Sequence, residues 1–148
     1  MVRRLAAAVV GGEQLPGVYR WRSRAHPAAL RRDLATAGWA LYVLDGRTST
    51  GPEQALDALA AELRFPAWFD RRWEALSECL ADLTWLPASG HVLLWERYGV
   101  LARADEKAWT RAHMVCADAI AYRRRTGAVP LYVLLRGTGP AGPPLLPR

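Results

Sequence analysis

The sequence predicts an α/β domain built on a small three-stranded parallel sheet with helices packed against it. Three observations carry that expectation. The runs Trp39 to Leu44, His91 to Trp95 and Val129 to Leu135 are apolar almost throughout, as strands buried on both faces are. The segments between them have the three- and four-residue apolar spacing of helices, and parallel neighbours need such crossovers. Gly, Pro and Asp-Gly punctuate the joins, as at Gly38, Asp45-Gly46, Phe65-Pro66 and Gly127.

Taken in order, residues 1–17 read as a loose arm ending in a Leu-Pro-Gly turn, and Val18 to Arg22 as a short strand or extended edge segment. The apolar run Leu5 to Val10 is shorter than the ~7–15 residues of a secretory signal's apolar core. Ser23 to Ala37 reads as a helix, with Pro27 near its start and Gly38 as its stop. After the first buried run, Pro52 opens a helix to about Leu63 whose apolar stripe is Ala55, Leu56, Leu59, Ala60 and Leu63. Glu96 to Ala104 reads as a connection with room for a short helix. Asp105 suits the cap of the longest helix, which runs to about Arg125 with Arg123, Arg124 and Arg125 at its C-terminal end. Gly137 to Arg148, with four prolines among glycines, reads as a disordered tail. The expected organisation is therefore an extension with one helix over residues 1–38, a domain over 39–136 and a tail over 137–148.

Between the second helix and the second buried run lies the stretch from Phe65 to Leu83. Trp73, Leu76, Leu80 and Leu83 make an apolar stripe, while Asp70, Glu74, Glu78 and Asp82 recur every four residues as an acidic row on another face. Of the aromatic pair Trp68 and Phe69 ahead of the helix, one is expected in the core and the other outside. The acidic row stands out because the chain of 148 residues carries a formal net charge of +6. By sequence segment, residues 1–40 and 88–148 are basic, whereas 41–65 and 66–87 are each acidic.

With 51% apolar and 23% charged residues, the composition fits one globular domain. The two cysteines suit neither a disulfide framework nor a zinc site and read as small buried side chains in a reducing, cytoplasmic setting. No apolar run reaches the ~20 residues of a membrane span. His26, His91 and His113 are scattered, and no nucleophile triad, phosphate loop or metal spacing is present, so no enzyme, cofactor or metal is expected.

The order of these segments resembles the barstar family, inhibitors of secreted ribonuclease. The most specific part of the resemblance is Pro66, Ala67, Trp68, Phe69, Asp70, Arg71, Arg72, Trp73, Glu74, Ala75 and Leu76, followed by Glu78, Cys79 and Leu80. Family members write it as Pro, any residue, Tyr/Phe, Phe, Gly, any residue, Asn, Trp, Asp, Ala, Leu, then Asp-Cys-Leu. Here the Gly is Asp70, the Asn is Arg72, both Asp are Glu, and Ser77 stands where barstar has Trp. The chain would be a divergent member with an extra N-terminal segment. The resemblance implies a barstar-like three-stranded sheet and an inhibitory, immunity-type role, with a basic ribonuclease or nuclease toxin as protein partner. It implies Glu74 and Glu78 as main carboxylates and Trp68 and Phe69 as aromatic contacts; the four-residue spacing adds Asp70 and Asp82 to the candidate partner-binding set. The alternative is a basic module that holds nucleic acid or a regulatory partner, with Trp21 between Arg20 and Arg22 as a base-stacking candidate.

Overall fold

The computed structural model describes residues 2–146. The elements run α1 (Val2–Val10), β1 (Val18–Arg20), α2 (Pro27–Ala35), β2 (Trp39–Asp45), a 3₁₀ turn at Gly46–Thr48, α3 (Pro52–Glu62), α4 (Trp73–Asp82), β3 (Gly90–Glu96), α5 (Gly99–Ala104), α6 (Glu106–Thr126) and β4 (Leu131–Arg136). All strand pairs are parallel, in the order β1-β4-β3-β2.

The apolar runs are continuous because both sheet faces are covered. Leu93 and Trp95 of β3, with Leu131, Val133 and Leu135 of β4, face a core completed by α3, α4, α5 and α6. The alternate residues Val92, Leu94, Tyr132 and Leu134 face a second core, filled by Leu5, Ala6 and Val9 of α1 and Leu30 and Leu34 of α2. Period-two alternation thus divides each strand between two apolar layers instead of between core and water.

Three expectations change. The sheet has four strands, because Val18, Tyr19 and Arg20 pair with Val133, Leu134 and Leu135. Three residues carry too little periodicity to claim a place in a sheet, and their partner lies at the far end of the chain. Residues 1–38 carry two helices: α1 forms because burying Leu5, Ala6 and Val9 on the sheet compensates for a short, nine-residue helix with no acidic residue in its first turn. The third change is the tail. Through Leu146 it is docked, with Pro144 O accepting from Arg20 N at 2.8 Å, Leu146 N donating to Arg20 O at 2.8 Å, and Leu146 buried. Prolines lack N–H groups but keep carbonyls, and those of Pro143 and Pro144 are accepted into the edge of β1. The end of the tail, 147–148, lies outside the described residues.

The other edge, β2, is also guarded. The Val43 N–H donates to the Glu62 carboxylate at 2.8 Å, and Arg31 donates to Leu41 O at 3.1 Å. Side chains from α2 and α3 occupy the ladder groups through which another strand would pair. At the strand ends, Arg136 forms a two-armed pair with Glu96, donates to the carbonyls of Ser23 and Ala25, and lies over the Trp21 ring at 5.0 Å.

Candidate partner-binding site

The approach to α4 is set by aromatic packing. Phe65 lies between Phe69, with ring centroids 4.9 Å apart, and Trp85, edge-on at 6.2 Å. The Trp85 indole donates to Leu63 O at 2.9 Å, tying this cluster to the end of α3. Phe69 therefore packs on the core, as Trp73 does on one side, while Trp68 is 51% exposed. The expected division of labour within the aromatic pair is what the structure places.

The helix itself begins later than its acidic periodicity implies. Arg71 is left-handed at φ 63° and Arg72 is the extended N-cap, so Asp70 stands before the helix. The row divides accordingly. Glu74, Glu78 and Asp82 project from α4 into solvent, while Asp70 pairs with Arg72. That bond to Arg72 holds the Asp70 carboxyl below its ordinary value, and Asp70, Glu74 and Glu78 together raise the guanidinium of Arg72. Arg71 points elsewhere, to Asp57 of α3 at 2.7 Å and 2.8 Å. The two arginines beside the ridge thus engage Asp70 and Asp57, and among the described residues neither makes an ion pair with Glu78 or Asp82.

Alongside α4 lies α6, and the two helices bound an open groove of about 640 Å³. Glu78 and Asp82 line one wall, Asp118 and Tyr122 the other, with Ala81 and Ala119 between. The Arg111 guanidinium of α6 approaches Glu74 at 3.4 Å, an exposed ion pair across the two helices. Beneath the ridge, burial pushes the Cys79 thiol up to about 11, and the fields of Glu78 and Asp82 act in the same direction.

The side chain that sets the end of α4 is Arg123. It is 2% exposed, and its guanidinium donates to the carbonyls of Ala81 at 3.0 Å, Asp82 at 2.9 Å and Val129 at 2.5 Å. Carbonyls of a final helical turn have no partner within the helix, and acidic residues there oppose its dipole. A buried cation from α6 offsets both effects. Burial lowers the pKa of Arg123, while Asp82 supports its charge.

The sequence points to Glu74, Glu78 and Asp82 as one exposed row and leaves open which of Trp68 and Phe69 faces out; the structure exposes Trp68 and sets Asp70 ahead of the helix. Sequence reasoning missed Asp118, Tyr122 and the inward turn of Arg123. Their spacing on α6 puts Asp118 and Tyr122 on one helical face, but nothing local says that α4 borders it. Trp21 is buried under Arg136, which removes it as a base-stacking platform. The histidines hold structural positions: exposed His26 caps α2, buried His91 bonds Tyr42, and half-buried His113 stacks on Trp109. Among the described residues no cluster has the makings of a metal site, and no helix is long and apolar enough to cross a membrane.

Comparison with curated proteins returns no match. A comparison with protein families matches residues 39–136 to the family described as Barstar (barnase inhibitor). That match spans β2 through β4, including the aromatic loop, the acidic helix and its long neighbour. The chain belongs to the barstar family.

Proposed function

We propose that this protein inhibits a basic ribonuclease or nuclease toxin by docking the exposed face of α4, with Trp68 beside it, into the enzyme's active site. The observation that carries the proposal is the solvent-facing set Glu74, Glu78 and Asp82, joined across the groove by Asp118. An enzyme that cleaves a polyanion presents cations where substrate phosphates sit, so a carboxylate ridge complements it and accelerates encounter. Trp68 supplies a large apolar surface at the ridge's approach, the kind of side chain that anchors protein interfaces. The free, buried cysteines suit work in a reducing compartment, ahead of export of the partner.

Titrating the purified chain against a panel of secreted microbial ribonucleases tests this reading. One enzyme should be inhibited, more strongly at low salt, and Glu78→Ala should weaken inhibition at least about tenfold, the equivalent of ~1.4 kcal/mol. Inhibition of none, or a Glu78→Ala variant as potent as the parent, would sink it.

A further inference from the structure

Apart from the ridge, and sharing none of its residues, a cleft of about 190 Å³ opens at the carboxyl ends of β1 and β4. Arg20, Arg22, Tyr98 and the loop Gly137-Thr138-Gly139 line it. Open parallel sheets bind ligands beyond the carboxyl ends of their strands, and here the chain leaving β1 goes to the α1–α2 layer while that leaving β3 goes to the other.

The loop is built to bring backbone close. Gly137 has φ +113°, a Cβ on Gly139 would stand 2.6 Å from the Tyr98 ring, and one on Gly99 would stand 1.7 Å from Thr138 O. Arg103 clamps the same carbonyl at 3.1 Å, and the Tyr98 hydroxyl donates to Pro140 O at 2.8 Å. Backbone N–H groups exposed in such a turn are ordinary anion donors. Among the described residues, no acceptor takes the N–H of Thr138 or Gly139.

The charges point the same way. Arg20 spends its Nε on Pro143 O at 2.7 Å, leaving its terminal nitrogens, and Arg22 is exposed with no partner among the described residues. The neighbouring Arg136 is fully engaged, by Glu96 above all, so Glu96 is not free to neutralise the cleft. Arg20 and Arg22 line the cleft together with Tyr98; burial raises the Tyr98 hydroxyl, and the fields of the two arginines act on it in the opposite direction.

We infer that this cleft binds a phosphate group, free or as the terminal monoester of a small molecule, between Arg22, Arg20 and the backbone of Gly137-Thr138-Gly139. The volume is below the roughly 300 Å³ at which drug-sized pockets begin, so one anionic group with little attached to it is what fits. Two guanidinium groups recognise such an oxyanion by charge-assisted bonds. The site is independent of the inhibitory face, and neither reading depends on the other.

Titration of the full chain with inorganic phosphate, followed through its amide resonances, tests the inference. Saturable shifts are expected at Thr138 and Gly139, with a dissociation constant on the order of 1 mM. Arg22→Gln should weaken binding by about tenfold or more, Arg22→Lys by less, and Arg32→Gln, an exposed arginine of α2 away from the cleft, not at all. A parallel titration with ribose 5-phosphate separates the sources: tighter binding assigns the site to a monoester, equal binding to the free anion. Shifts that never saturate, or equal losses in Arg22→Gln and Arg32→Gln, would show diffuse charge attraction and overturn the site.

Discussion

Arg123 of α6 lies 2.9 Å from the main-chain oxygen of Asp82, the last residue of α4, and this contact joins a buried cation to the helix that carries the acidic ridge. The cation serves the ridge from below, through the backbone, while the carboxylates face water above. Arg123→Met would leave the carbonyls of Ala81, Asp82 and Val129 short of donors. A loss of roughly 2–4 kcal/mol in denaturant unfolding is expected, against less for Arg123→Lys. A cost under about 1 kcal/mol would mean that water satisfies those carbonyls and that the cap is incidental.

His91 gives the fold a pH dependence of definite sign. It is buried, its Nδ1 is 2.9 Å from the Tyr42 hydroxyl, and burial first, then Arg123, lowers its pKa to about 4. An unfolded histidine titrates near 6.5, so between those values the unfolded chain holds more protons than the folded one. Stability contributed by neutral His91 is therefore complete above about pH 6.5 and is lost as the pH falls to about 4. Relative to His91→Gln, the parent should lose on the order of 2–3 kcal/mol across that window. Parallel unfolding curves from pH 7 to 4 would remove His91 from this role.

The aromatic pair before α4 separates binding from stability. Trp68→Ala deletes an exposed ring and should leave the melting temperature within about 1 °C while weakening nuclease inhibition. Phe69→Ala removes the ring packed on Phe65 and should cost about 2 kcal/mol of stability. Thermal melts paired with inhibition assays check both, and the idea fails if the two variants exchange behaviours.

Glu62 protects the outer strand. Replacing it with Ala frees the Val43 N–H, which should cost about 1 kcal/mol and promote self-association at high concentration. Sedimentation velocity of parent and variant measures the second effect, and identical profiles would assign the guarding of β2 to Arg31 alone.

The core strands and most helices were legible because their signals are local. Trp39 to Leu44 is apolar without alternation, Pro52 opens α3, and Asp105 caps α6 by accepting from Ala108 N at 3.0 Å. What escaped was decided by distant partners. Val18 to Arg22 was readable as a short strand, but its place in the sheet depends on Leu134 and Leu135, and the proline-rich tail docks where Arg20 offers it a donor and an acceptor. The site divides similarly. The four-residue acidic spacing located Glu74, Glu78 and Asp82, but the left-handed Arg71 broke that spacing before Asp70. Asp118 and Tyr122 needed the α4–α6 packing to join them.

The pairing of β1 with the end of the chain also governs the order in which the protein can form. Arg20 and Pro143 touch across 123 positions. On a ribosome the extension emerges first, yet its strand has no bonded neighbour until β4 has been made. Until then Tyr19 and Trp21 remain without the sheet face that buries them, so completion of the second core is a late, chain-length-dependent event. A protein cut back to residues 39–136, the segment matched to the family, would keep the acidic helix but bare Val92, Leu94, Tyr132 and Leu134 to water. The N-terminal segment thus supplies, in cis, the cover for a sheet face that is made only after it.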